Sequence, residues 1–263
     1  KMMEALLEAQ VLNVAALGVG IVKCGLTGLA PATSYAFAVH APLGAKEGLG
    51  LMQPVLVVGD AAAIWAHGGI PSREDLSLIS GLLLHTLAGL AVGYALLGTV
   101  SDSLVKRLLG AAILATFLRR CTAHLKIPGV GCGGGAAEAG DRPWRSWLQT
   151  AGLGACCGMI SVLTNNSGLL LDAYLIGLKL PKQRFLSMRS SYLLVAGIMK
   201  LVGHLSFGVL PLTALPHAAW LCLLALAGVL VGKQLIKRIP QAAFDLVVSS
   251  FVLCGALRLI GWG

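Results

Sequence analysis

The chain has 263 residues, of which 57% are hydrophobic and 12% charged, and its mean hydropathy is +0.83. A soluble domain carries about a quarter charged residues, so water is not the main solvent of this chain. The net charge of +9 does not mark a nucleic-acid surface: the basic residues sit at the ends of apolar runs without interleaved aromatics, where they act as topology signals and help draw anions to the mouth.

Apolar runs recur along the whole length, and a bilayer core of about 30 Å needs roughly 20 such residues per helix. The first run covers 5–26. Only Lys1 precedes it and no A-x-A cleavage site follows, so it belongs to the mature fold rather than to a secretory signal. Lys1 in place of Met suggests that the start of the natural chain is missing. A shorter apolar piece at 32–43 comes next, then runs at 48–66, 76–97 and 104–118. The basic segment that follows contains GVGCGGG at 129–135, which cannot stay helical and reads as a flexible linker. The rhythm then repeats with 148–163, a short piece at 168–178, and runs at 185–207, 218–231 and 242–260. The predicted organisation is a first transmembrane repeat at 1–118, a linker at 119–147 and a second repeat at 148–263.

The halves align without a gap through their first part. Leu26-Thr27 matches Leu163-Thr164 and His67 matches His204 at an offset of 137, as do Leu56/Leu193 and Val58/Val195. Each half contains a break between two apolar pieces: GLTGLAP at 25–31 and NNSG at 165–168. Gly, Pro and Asn end one helix there and cap the next. A broken segment can cross the membrane once or return to its starting side as a re-entrant hairpin. Single crossings divide the eighteen loop Lys and Arg ten to eight, whereas hairpins divide them thirteen to five, and only the second division satisfies the positive-inside rule. The fold class expected is therefore an all-α polytopic membrane protein of two inverted repeats. Each repeat is a re-entrant broken-helix hairpin plus three transmembrane helices, a plan common among secondary transporters. The linker is expected on the cytoplasmic side of the cell membrane.

Lys23 and Lys200 are read as the only basic residues inside apolar stretches. A charge at that depth costs a few kcal/mol or more unless it finds a partner or water. Either lysine attracts an anionic substrate, or it snorkels to the interface or pairs with Asp60 or Asp172. The half-helices after Pro31 and Ser167 aim backbone N–H groups into the gap, and Thr27, Gly28, Thr33, Ser34, Thr164, Asn165, Asn166 and Ser167 surround it. These donors suit a tetrahedral oxyanion, or they only cap helix ends that lipid cannot satisfy. Asp60 and Asp172 carry protons or balance the lysines. His67, His85 and His204 read as packing histidines. The seven cysteines form no C-x-x-C pair and read as small buried hydrophobes. No nucleophile elbow, Walker loop or H-E-x-x-H is present, so no catalytic residue, metal or cofactor is assigned.

Several segments carry a resemblance. VKCGLTGLAP, MQPVLVVGDAAAIW, ISGLLLHTLAGLAVGYALLG and VSDSLVKRLLGAAIL, followed by TNNSGLLLDAYLIGLKLPKQRFLSMRSSYLLVAGIMK and GVLVGKQLIKRIPQAAFDLVV, resemble in that order the TauE/SafE sulfite exporter family, also called toluene sulfonate uptake permeases. The resemblance implies two repeated halves and transport of sulfite, sulfonates or related sulfur-containing anions, with Lys23, Asn165 and Lys200 as the leading site residues. Two departures fall at that site: Leu26-Thr27-Gly28-Leu29-Ala30 where many members have a run of glycines, and Asn166-Ser167 where a pair of alanines is frequent. The expected function is secondary export of sulfite or an organosulfonate, with proton coupling through Asp60 or Asp172. A passive anion channel on the same scaffold is the second class. An intramembrane enzyme is the third, and it requires His67, His85, His204 and Asp60 to converge on a metal.

Overall fold

The computed structural model describes residues 2–24, 29–40, 45–67, 69–99, 143–165, 167–177 and 182–238. The expected segments at 104–118 and 242–260, and the linker up to residue 142, lie outside the described residues, as do Thr27, Gly28 and Asn166. Among the described residues every regular element is helical. In chain order these are α1 (Met2–Lys23), α2 (Ala30–His40), α3 (Ala45–Ala66), α4 (Arg73–Thr99), α5 (Pro143–Thr164), α6 (Gly168–Gly177), α7 (Lys182–Ser206) and α8 (Leu215–Arg238), with a 3₁₀ turn at Leu212–Ala214.

The local chemistry explains the boundaries. α5 begins at Pro143, whose missing N–H is harmless in the first turn and whose φ is already helical. α3 and α7 end alike. Gly69 (φ 100°) and Gly208 (φ 68°) take left-handed backbone just past the last turn, and the next N–H groups fold back, Gly69 N to Ile64 O at 2.9 Å and Val209 N to His204 O at 2.9 Å. Ser72 caps α4, with its hydroxyl accepting from Asp75 N at 3.3 Å and donating to Asp75 Oδ2 at 2.9 Å. The same carboxylate receives Arg184 Nε at 2.9 Å and Arg184 Nη2 at 2.6 Å on Oδ1, fastening the start of α7 to the start of α4.

Among the described residues, four stretches are long and apolar enough to cross a membrane: Lys46–Ala66, Arg73–Leu97, Arg184–Ser206 and Leu212–Leu235. They correspond to α3, α4, α7 and α8, and the chain is an integral membrane protein. Leu84, Leu223 and Leu230 on α4 and α8 are more than half exposed, as expected of faces solvated by lipid tails rather than water. At 11 and 10 residues, α2 and α6 reach only about 15 to 17 Å at 1.5 Å per residue, about half the bilayer core.

Two of the apolar clusters among the described residues each join four helices. One joins Leu12, Ala16 and Val19 of α1 and Phe37 of α2 to Met52 and Val55 of α3 and Leu221 and Ala225 of α8. The other joins Cys157 of α5 and Leu171 and Leu175 of α6 to Met188 and Tyr192 of α7 and Ile79 and Leu82 of α4. Each cluster thus takes three helices from one half and the last described helix of the other. The closest crossings, α1 with α8 and α4 with α5, depend on glycine. A Cβ on Gly20 would stand 2.0 Å from Ala225 O, and one on Gly158 would stand 2.2 Å from Thr86 O. Between helices that share no hydrophobic drive in lipid, such close backbone approach is the main source of van der Waals contact.

Candidate functional site

Residues flanking both breaks line one cavity of about 50 Å³, on a measure in which a single water needs about 10 to 15 Å³. From the first half come Lys23 at the end of α1, Ala30, Thr33 and Ser34 at the start of α2, and Gln53 and Asp60 on α3. The second half supplies Ser161 and Asn165 at the end of α5, Ser167 and Gly168 at the start of α6, and Arg189 and Lys200 on α7. The α3 lining runs from Met52 to Asp60 and the α7 lining from Arg189 to Lys200, so the cavity lies near the middle of both spanning helices.

Lys23, 5% exposed, donates from Nζ to Asp60 Oδ2 at 2.7 Å. Gly59 makes room for this pair, because a Cβ there would stand 3.1 Å from Lys23 Cγ. Asp172 pairs with Arg189 rather than with a lysine: Arg189 Nε donates to Asp172 Oδ1 at 2.6 Å, and both side chains are almost fully buried. The sequence reading assigned Arg189 to a loop and treated the two lysines as the only basic residues within apolar stretches. Arg189 instead lies inside α7, which starts at Lys182, and is 3% exposed. The error has a physical source, because Lys182, Arg184 and Arg189 precede the most apolar part of the helix and resemble a basic loop in sequence. Removing Arg189 from the loop count leaves the hairpin division at twelve against five, still strongly asymmetric.

Lys200 is held differently. Its Nζ donates to Ser161 O at 2.9 Å, to Ser161 Oγ at 3.2 Å and to Asn165 Oδ1. All three partners are neutral oxygens, and among the described residues no carboxylate lies within ion-pair distance of it. Asn165 sits at φ 56° just after α5, a left-handed conformation that asparagine tolerates better than most residues. Its Nδ2 donates to Leu49 O at 2.9 Å, so this one side chain ties the α5 end to α3 and to Lys200. Gln53 Nε2 donates to Gly197 O at 2.8 Å, bridging α3 and α7. Sequence reasoning passed over Gln53, Ser161 and Arg189. Only Arg189 left a signal, a cation 17 positions after Asp172 and just ahead of an apolar run.

The other expected residues divide clearly. Thr33 Oγ1 donates to Ala30 O at 2.9 Å, a local cap. Ser34 is fully buried on the cavity wall and its Oγ has no partner among the described residues. Ser167 contributes its backbone oxygen to the first turn of α6, accepting from Leu170 N and Leu171 N at 3.1 Å. Thr164 Oγ1 donates back to Ile160 O at 2.9 Å and does not line the cavity. The histidines do not gather around Asp60. His67 follows the end of α3, His85 bonds its own helix at Gly81 O, and His204 packs edge-on to Tyr94. Among the described residues no three His, Cys, Asp or Glu side chains could hold a metal ion.

A family model described as sulfite exporter TauE/SafE matches residues 12–259, a span that contains both breaks and every cavity residue. The chain belongs to the TauE/SafE sulfite exporter family. This is a family of membrane transporters that export sulfite and sulfonates. No curated protein and no solved structure matches the chain. For a TauE/SafE member, a midpoint cavity lined by three cations and one carboxylate is consistent with anionic cargo.

Proposed function

We propose that this protein is a secondary transporter that exports sulfite or an organosulfonate, with the anion bound in the cavity between the two helix breaks. The carrying observation is the charge inventory of that cavity. Lys23 is matched by Asp60 and Arg189 by Asp172, while among the described residues Lys200 hydrogen-bonds only neutral oxygens. A buried cation without a counter-charge is expensive in the membrane interior, and a bound anion supplies that charge. Helix starts at Ala30 and Gly168 line the same cavity, where their unpaired N–H groups favour negative charge. Asp60, whose Oδ1 has no partner among the described residues, is the proposed proton-coupling group, with Asp172 beside it.

The scaffold we propose is a pair of inverted repeats with re-entrant hairpins. Helix bounds support the repeat: the ends of α2 and α6, His40 and Gly177, are 137 positions apart, as are the starts of α3 and α7, Ala45 and Lys182. The packing supports it too, since exchanging the halves turns the first apolar cluster into the second. Support for the hairpin comes from α2 lying beside α1 rather than continuing it: a Cβ on Gly18 would stand 3.0 Å from Thr33 Cγ2. We place the protein in the cell membrane with 119–147 on the cytoplasmic side, on the strength of the Lys and Arg division.

Purified protein in proteoliposomes decides the reading. An imposed proton gradient is expected to drive sulfite to accumulate against its own gradient. Sulfite flux that ignores the proton gradient would make the protein a passive channel, and no sulfite flux would remove the function altogether.

A further inference from the structure

Arg189 lines the cavity with hydrogen-bonding capacity to spare. Its Nε is committed to Asp172 Oδ1 at 2.6 Å, and a Cβ on Gly168, at the start of α6, would stand 3.0 Å from its Nη2. Its Nη1 is buried and has no hydrogen-bond partner among the described residues, although the side chain is 3% exposed and lines the cavity. A guanidinium cannot shed its charge to relieve this, and its donors lie in a fixed plane. The bond from Nε to Asp172 fixes the orientation of that plane, and Gly168 leaves room for its outer edge.

We infer that Arg189 is a specificity-determining ligand of the transported anion, selecting an oxyanion over a spherical anion by offering its planar donors to the anion's oxygens, with Asp172 as the residue that positions it. This rests on the transporter reading above and adds the division of labour within the site. Lys200 contributes a point charge, which a halide satisfies as well as an oxyanion does. Arg189 contributes geometry, because a forked donor makes two parallel hydrogen bonds only to a partner with oxygens at the matching spacing. The –SO₃ face shared by sulfite and sulfonates has such oxygens, and a halide does not. Glycine at position 168 belongs to the same device: a side chain there would meet the guanidinium at the edge that faces α6.

The test is calorimetric titration of the purified full-length protein with sulfite and, separately, with bromide. Arg189→Lys keeps the charge and loses the fork, so sulfite affinity is expected to fall about tenfold, the weight of one charge-assisted hydrogen bond, while bromide affinity stays within about twofold. A residue that only supported the fold would weaken both anions together. The Arg189→Gln/Asp172→Asn double variant removes both charges of the pair, leaves no uncompensated buried ion, and must show the same loss of sulfite-over-bromide selectivity. Should either folded variant retain wild-type selectivity, the role of Arg189 is wrong while the transporter reading stands. If the wild-type protein binds neither anion, both fall.

Discussion

Lys23 and Lys200 have the same side chain and similar depth, yet different partners give them different expected roles. Lys23 shares its charge with Asp60 at 2.7 Å, so Lys23→Ala leaves a buried carboxylate alone, at a cost of about 3 to 5 kcal/mol. The expected outcome is a clear fall in thermal midpoint in detergent, rescued in part by Lys23→Met/Asp60→Leu, which removes both charges but also the proton dependence of transport. Lys200→Met removes a charge that, among the described residues, no carboxylate pairs with. That variant is expected to keep most of its stability and lose sulfite affinity by tenfold or more, as measured by calorimetry. Asn165 requires a replacement that respects its backbone. Leucine at φ 56° would add strain to the loss of the amide, whereas Asn165→Gly keeps the turn and removes only the links to Leu49 and Lys200. A fall of about tenfold in sulfite affinity is expected for Asn165→Gly, and no change for Ser80→Ala on the exposed face of α4. Equal affinities for the two variants would take Asn165 out of the site.

Among the elements, the half-length helices and the glycine crossings depend on each other. α2 and α6 are too short to span the bilayer, so their ends must be satisfied by neighbouring protein or by a water-filled cavity. The neighbours come close enough only because α1 meets α8 at Gly20 and Gly228, and α4 meets α5 at Gly89 and Gly158. Gly158→Leu puts a Cβ within 2.2 Å of Thr86 O and pushes α4 and α5 apart, with an expected cost of about 1 to 3 kcal/mol by overpacking. Gly152→Ala on the same helix meets nothing within 4 Å and is expected to leave the thermal midpoint unchanged. A midpoint equally insensitive to both would mean that the close crossing does not hold the bundle together.

At the scale of the molecule, each apolar cluster draws on both halves, so neither half closes its core alone. The inverted repeats proposed above would expose the linker and the C-terminal end on opposite sides of the membrane, with three full crossings between them. Single cysteines at Gly131 and Gly261, introduced after the native cysteines are replaced, should react with an impermeant maleimide from opposite faces of sealed vesicles. Reaction from the same face would overturn the inverted arrangement.

The sequence by itself determined the solvent of this chain, the helical fold class, the places of both breaks and the family, because each of these follows from composition, apolar run length and residue order. It also singled out Lys23, Asp60, Asn165 and Lys200, since a charge or amide within an apolar run stands out before any folding is considered. What it could not determine was pairing. Lys23 lies 37 positions from Asp60, and Lys200 lies 39 from Ser161; which cation is neutralised and which is left with only neutral oxygens depends on how α1, α3, α5 and α7 stack. Arg189 shows the same limit most plainly. Its neighbours in sequence are polar and suggest a loop, but the turn of α7 carries its side chain inward onto Asp172, and only the packed helices make a loop-like arginine into a cavity wall.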